Sequence, residues 1–169
     1  SEVETISGRI LVADDAPANR ELINAILSGL GLQVDLVCDG GEAVQAVQTR
    51  DYDLVLMDVQ MPVMDGLTAT RAIRAGNGPS AHAPIVAMTA NTFDEDRRAC
   101  ADAGMDDFIP KPANPQTTRV GMLSCPNTRL STARNTAGPK MPIMQNSRKL
   151  LTMSGQGWGK RIWRGRDAR

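Results

Sequence analysis

Five polar side chains stand where apolar runs stop. Ile10-Leu11-Val12-Ala13 ends in Asp14-Asp15, Leu54-Val55-Leu56-Met57 in Asp58, and Ile85-Val86-Ala87-Met88 in Thr89; Phe108-Ile109 is followed by Pro110 and Lys111. Unbroken apolar runs suit strands buried on both faces, as in a parallel sheet, and open α/β sheets carry their chemistry at the carboxyl ends of such strands. If those ends converge, three carboxylates share a crevice with a hydroxyl and an ammonium. Carboxylates so close repel one another unless a cation lies among them. An all-oxygen acidic site suits Mg²⁺, which keeps several waters and takes one or two carboxylates plus a phosphate oxygen. Phosphoryl transfer needs mainly positioning and charge neutralisation. The set therefore reads as Asp58 accepting a phosphoryl group, with Mg²⁺ and Lys111 neutralising it and Thr89 donating to a third oxygen. Alone, each residue has a plainer reading: Asp as a cap or turn residue, Thr as a strand former, Lys as surface charge. The argument rests on all five falling at strand ends in order.

The intervening segments supply the elements that would position these ends. Pro17 can open a helix whose stripe is Leu22, Ile26 and Leu30, with Ile23 and Leu27 beside them and Gly29 and Gly31 ending it. Val34-Asp35-Leu36-Val37 is a partly polar strand suited to a sheet edge. Asp39-Gly40-Gly41-Glu42 has capping-box spacing ahead of Ala43, Val44 and Val47. Asp65 can cap a third helix carrying Leu67 and Ile73, and Thr92 with Glu95 can open a fourth that stops at Gly104. Alternation of this kind predicts a doubly wound parallel sheet with right-handed crossovers. The apolar runs at Ile10 and Leu54 belong at its centre. Counting five strands from Ile10, the expected order is 2-1-3-4-5, the flavodoxin-like arrangement.

The zero net charge of the 169 residues conceals two regimes. Residues 1–113 carry 18 acidic and 8 basic side chains, net −10, whereas 114–169 carry 1 acidic and 11 basic, net +10. Cys38, Cys100 and Cys125 are widely spaced and show no metal or redox pattern, which fits a reducing, cytoplasmic setting. No apolar run reaches membrane-spanning length, so no membrane contact is expected of this segment. His82 lies in a loop with no catalytic partner and reads as solvated.

The segments Ile10-Leu11-Val12-Ala13-Asp14-Asp15, Leu56-Met57-Asp58-Val59-Gln60-Met61-Pro62-Val63-Met64-Asp65-Gly66, Met88-Thr89-Ala90 and Lys111-Pro112 resemble the response-regulator receiver domain of two-component signalling. The resemblance spans about residues 9–113. It implies that Asp58 is phosphorylated from a phosphohistidine on a sensor histidine kinase or histidine phosphotransfer domain. Asp15, Asp58 and the backbone carbonyl of Gln60 would hold Mg²⁺, with Asp14 acting through water. Thr89 and Lys111 would contact the phosphoryl group, and Thr89 with Phe108 would form the switch. The Lys111–Pro112 bond would be cis. Asp15-Ala16-Pro17-Ala18-Asn19-Arg20 and Thr70-Arg71-Ala72-Ile73-Arg74 look most like receivers of hybrid sensor kinases, so residues 1–8 read as a linker and the chain as a stand-alone regulator or a kinase fragment. Such a domain catalyses its own phosphotransfer and dephosphorylation without being a conventional enzyme.

Two other readings compete. A Mg²⁺-dependent phosphatase of the haloacid-dehalogenase kind also uses an Asp nucleophile with Thr and Lys. It needs a second Asp two residues on, where this chain has Gln60. A receiver-like scaffold that only binds partners has no need of all five polar residues.

After Lys111-Pro112 a receiver should continue into a fifth amphipathic helix. Residues 114–126 offer two Thr, Gly121 and few apolar positions, so that helix is expected to be missing or degraded and 114–169 to be a basic, disordered tail, consistent with an altered reading frame. Losing the helix would forfeit roughly 6–12 kcal/mol of burial, comparable with a whole domain's stability of about 5–15 kcal/mol. Exposed apolar sheet would then favour a weak dimer. Trp158 and Trp163 sit among the basic residues, but no helix-turn-helix pattern is present and no nucleic acid partner is expected.

Overall fold

A computed structural model describes residues 6–91, 93–126 and 128–132. In chain order the elements are β1 (Ile6–Ser7), β2 (Arg9–Ala13), α1 (Pro17–Gly29), β3 (Gln33–Val37), α2 (Gly40–Thr49), β4 (Leu54–Asp58), α3 (Gly66–Ala75), β5 (Ile85–Thr89), α4 (Asp94–Ala103), β6 (Asp107–Pro110), α5 (Pro115–Ser124) and β7 (Ser131–Thr132). Five strands form one parallel sheet in the order β3-β2-β4-β5-β6, which is the expected flavodoxin-like topology once the short β1 is counted. β4 is buried at all five positions, and β3, the most polar strand, is at the edge.

Period-two alternation divides the core. Ile10, Val12, Leu54, Leu56, Val86, Met88 and Ile109 pack with Ile23 and Leu27 of α1 and Met122 of α5. Leu11, Val55, Met57, Ile85 and Ala87 pack on the opposite side with Ala43 and Val47 of α2, Ala69 and Ile73 of α3, and Cys100 of α4. The caps act where the sequence puts them: the Asp39 carboxylate accepts the Glu42 N–H at 2.9 Å, and that of Asp65 accepts the Thr68 N–H at 2.8 Å. For α4 the residue at the cap position is Phe93, without a side-chain cap bond; Thr92 lies outside the described residues.

The expectation of a missing or degraded fifth helix is corrected: α5 runs for ten residues and closes the core against β6. Asn114 caps it by accepting the Thr117 N–H at 2.9 Å, and Pro115 opens its first turn. Gly121, which counted against a helix in the sequence, is what permits the docking. A Cβ there would lie 2.5 Å from Ile109 Cγ1. The expected disordered tail likewise does not hold for 114–126 and 128–132, whereas residues 133–169, the altered-frame reading included, lie outside the described residues.

The face that α5 turns to the sheet is partly polar. Thr118 is 1% exposed and its hydroxyl has no hydrogen-bond partner among the described residues. An unpaired buried hydroxyl costs about 1–3 kcal/mol. Thr118→Val keeps the shape and removes the hydroxyl, so it should stabilise the domain by about 1–2 kcal/mol, read as a rise in urea midpoint at unchanged slope.

The Asp107 carboxyl is pushed up to about 6 by burial, with Asp106 acting in the same direction against the hydrogen bond from the Phe108 N–H. A carboxyl whose value in the fold exceeds its ordinary 3.8 holds its proton more tightly folded than unfolded. Its contribution is fully present below the unfolded value and is lost as pH rises through about 6. Stability should therefore fall between about pH 3 and 7, chiefly from 3.8 to about 6, by up to about 3 kcal/mol from this group. In Asp107→Asn the urea midpoint should vary less over that interval; an unchanged profile would assign the slope elsewhere.

Candidate functional site: an acidic cleft at the strand ends

The carboxyl ends of β2, β4, β5 and β6 meet at one open cleft of about 710 Å³, lined by Asp15, Asp58, Gln60, Met61, Thr89 and Lys111 among others. Asp14 follows β2 and is fully buried, Asp15 beside it is exposed, and Asp58 is the last residue of β4 at 4% exposure. The three offer carboxylate oxygens within 4.8 Å of one another. Lys111 follows β6, its N–H donating to the Thr89 carbonyl at 2.8 Å, and the Lys111–Pro112 bond is cis. The Lys111 ammonium lies 2.7 Å from Asp58 Oδ2 and 3.0 Å from Asp14 Oδ2.

Burial raises the Asp58 carboxyl above its ordinary value; Lys111 and the Gln60 N–H, which donates to Asp58 Oδ1 at 3.1 Å, pull the other way, and Asp14 adds to the rise. Burial works against the charged Lys111 ammonium, but the hydrogen bonds and charges of Asp58 and Asp14 prevail and raise it. Two carboxylates thus share one ammonium, leaving an excess of negative charge. With Asp15 they form an all-oxygen donor set that fits a hard divalent cation such as Mg²⁺.

Thr89 ends β5 at 8% exposure, at the cleft wall. Its hydroxyl donates to the Asn91 carbonyl at 2.9 Å and accepts the Asn91 N–H at 3.1 Å, so it is engaged with the β5–α4 loop. Phe108 is half-buried and packs with the α2–α3–α4 side of the core. The Arg97 guanidinium sits 4.4 Å from the Phe108 ring centroid, a cation–π contact. His82 takes no part in the cleft lining.

Residues without a role in the sequence reading complete the site. Arg20, in the first turns of α1, donates to the Asp14 carbonyl at 2.6 Å and the Asp15 carbonyl at 2.9 Å. The Ala16 N–H donates to Asp14 Oδ1 at 2.9 Å. Together they fix the acidic pair. Gly66 opens α3 directly beneath the end of β4, its N–H donating to the Val59 carbonyl at 3.0 Å. Between them Val63 has φ 67°, a strained value for a β-branched residue, in a turn where the Met64 N–H reaches the Pro62 carbonyl at 2.7 Å. The signals for these were present: an Arg one turn past Pro17, and a Gly after a capping Asp.

A doubly wound parallel sheet with paired carboxylates, a strand-end Asp and a facing lysine in one crevice defines a class of α/β modules with an acidic strand-end site. Residues 10–120 match the response regulator receiver domain, and the chain belongs to that family. It is 47% identical over 106 residues to the sensor protein GacS of Pseudomonas syringae pv. syringae, covering 62% of this chain and 12% of that protein. It is 40% identical over 110 residues to hybrid signal transduction histidine kinase L of Dictyostelium discoideum, covering 62% and 6%. The chain thus spans a small part of the curated relatives it matches. Among solved structures, the receiver domain of sensor histidine kinase PA1611 from Pseudomonas aeruginosa PAO1, which has a magnesium ion coordinated in its active-site cleft, aligns at 42% identity with a TM-score of 0.62, covering 67% of this chain and 92% of that one. No described helix is long and apolar enough to cross a membrane.

Proposed function

We propose that Asp58 is the phosphoacceptor of a two-component phosphorelay, taking its phosphoryl group from a phosphohistidine. The single observation that carries this reading is the Asp58 carboxylate itself: nearly buried on the cleft floor, 2.7 Å from the Lys111 ammonium and grouped with Asp14 and Asp15. An Asp58 oxygen attacks phosphorus as the histidine N–P bond breaks, and the bonding pair returns to the imidazole nitrogen. Asp15, Asp58 and the Gln60 carbonyl would hold Mg²⁺ directly, with Asp14 through water. When bound, the cation neutralises phosphoryl oxygens, a purely electrostatic contribution.

Lys111 is already held at the site and can follow the negative charge from Asp58 to a phosphoryl oxygen. The Thr89 hydroxyl can do likewise by exchanging its bonds to Asn91. That exchange would move the β5–α4 loop, and Phe108 would respond, a small two-state switch driven by charge. The relatives support a donor that is a sensor histidine kinase or a histidine phosphotransfer domain, and a chain that is one module of a hybrid kinase. Hydrolysis of the acyl phosphate would reset it. The phosphatase reading lacks its general acid, because Gln60 cannot supply a proton as Asp would. A pure docking scaffold would have no use for two carboxylates as deeply buried as Asp14 and Asp58.

The full chain incubated with acetyl phosphate and Mg²⁺ should gain one phosphate-sized mass increment, and excess chelator should prevent it. A chain that stays unlabelled with metal present, or that labels equally with chelator, would defeat the assignment.

A further inference from the structure

Both ends of the described chain meet at the amino-terminal ends of the strands. β1 pairs antiparallel with β7, Ile6 opposite Thr132 and Ser7 opposite Ser131. The Ile6 N–H also donates to the Leu30 carbonyl at 2.8 Å, tying β1 to the end of α1. Ile6 is fully buried, and Leu130 and Cys125 are 2% and 3% exposed. All three belong to the same core as Leu27, Leu32 and Leu54. Gly8 joins this ribbon to β2 with φ 154°, and a Cβ there would lie 2.6 Å from Leu130 Cδ2. Glycine at that position therefore meets both the backbone angle and the seat of Leu130. The family match, residues 10–120, contains neither β1 nor β7.

We propose that residues 128–132 are a strap that closes the base of this receiver by pairing with residues 6–7, so that the chain enters and leaves the domain side by side. The two ends of β2 separate this ribbon from the acidic cleft: Arg9 follows it, and Asp14 stands five residues on, about 16 Å away at ~3.3 Å per residue. A domain attached before Ile6 and a segment following Thr132 would both be tethered at the base. The Asp58 cleft would remain open to a phosphohistidine partner without either flank crossing it. Leu130 and Ile6 supply the strap's anchor, and the backbone pairing sets its register.

The test uses the full chain with Cys38→Ser, since Cys100 and Cys125 are buried and unpaired. Ser7→Cys with Ser131→Cys should form a disulfide on mild oxidation, found by peptide mapping, whereas Ser7→Cys with Thr117→Cys should not. In parallel, Leu130→Ala should lower the folding equilibrium constant roughly 30-fold or more, in keeping with truncation of a buried leucine, while Val120→Ala on the exposed side of α5 changes it less than about threefold. Labelling of Asp58 by acetyl phosphate should persist in every variant that folds. Absence of the 7–131 crosslink above the control, or a Leu130→Ala variant as silent as Val120→Ala, overturns the strap. Should Leu130→Ala not fold, the crosslink alone decides.

Discussion

The Asp58→Asn variant is expected to take up no phosphoryl group from acetyl phosphate and Mg²⁺, and yet to be at least as stable as the parent protein without metal. Loss of labelling follows because the amide has no anionic oxygen to attack phosphorus, and no other strand-end carboxylate shares its position: Asp14 is fully buried and Asp15 stands on the exposed loop. The gain in stability has a separate origin. Burial holds the Asp58 carboxyl above its ordinary value, so at neutral pH its charged form costs the fold free energy, and that cost grows as pH rises through the raised value. The neutral amide removes it. Lys111 keeps a full partner in Asp14, 3.0 Å away, so no buried cation is stranded. A stabilisation of about 1–2 kcal/mol in chelator is reasonable for relieving one destabilised functional carboxylate. Added Mg²⁺ should raise the melting temperature of the parent, since a ligand that binds only the folded state stabilises it, and should do so much less in the variant. A phosphate adduct surviving in Asp58→Asn would place the acceptor elsewhere.

How far these residues can be read without coordinates depends on the distance over which their partners act. Asp14, Asp15, Asp58, Thr89 and Lys111 are legible because parallel sheets deliver strand ends to one edge, and an apolar run followed by a polar residue marks a strand end. Helix boundaries are legible at Asp39 and Asp65 because a capping side chain reaches only three residues ahead. Arg74 shows the opposite case. Its guanidinium joins the Ala81, Ala83 and Gly104 carbonyls and the Asp106 carboxylate, partners 7 to 32 residues away that no local pattern connects.

α5 is hard to read from the sequence for a related reason. Its propensity is poor as a free helix, but Gly121 against Ile109 and Met122 in the core give it a close tertiary seat, and packing overrides propensity. The same holds for Ile6 and Leu130: each is a lone apolar residue in a polar stretch, and only the ribbon brings them into one core. The Thr89 hydroxyl was legible as a site residue, but its present bonds to Asn91 were not, because they depend on how the β5–α4 loop turns.

Gly66→Ala should damage both fold and site, through a contact that ordinary helix propensity would miss. Alanine is the better helix former by about 1 kcal/mol, so on an exposed helix the change would stabilise. Here a Cβ would lie 2.0 Å from the Asp58 carbonyl oxygen and 2.9 Å from its carbonyl carbon. Those are backbone atoms of a buried central strand, with no rotamer by which to yield, so α3 must shift away from β4. The shift would strain the Gly66 N–H bond to the Val59 carbonyl and the packing of Ala69 and Ile73 against Val55 and Met57. Overpacking a core usually costs about 1–3 kcal/mol, and a clash with main chain belongs at or beyond the upper end. Because the clash is with Asp58 itself, the end of β4 should be displaced as well, and a displacement near 1 Å can cost about 100-fold in rate. Gly66→Ala should therefore lower stability by about 3 kcal/mol or more and slow acetyl phosphate labelling at least tenfold under conditions where the variant remains folded. Gly41→Ala is the control: the nearest atom to its added Cβ is the Asp39 carboxylate oxygen at 3.1 Å, on a side chain that can give way, so it should approach parental stability and labelling. If Gly66→Ala matched Gly41→Ala in both measurements, α3 would not be seated on β4 in the way the close approach of Gly66 requires.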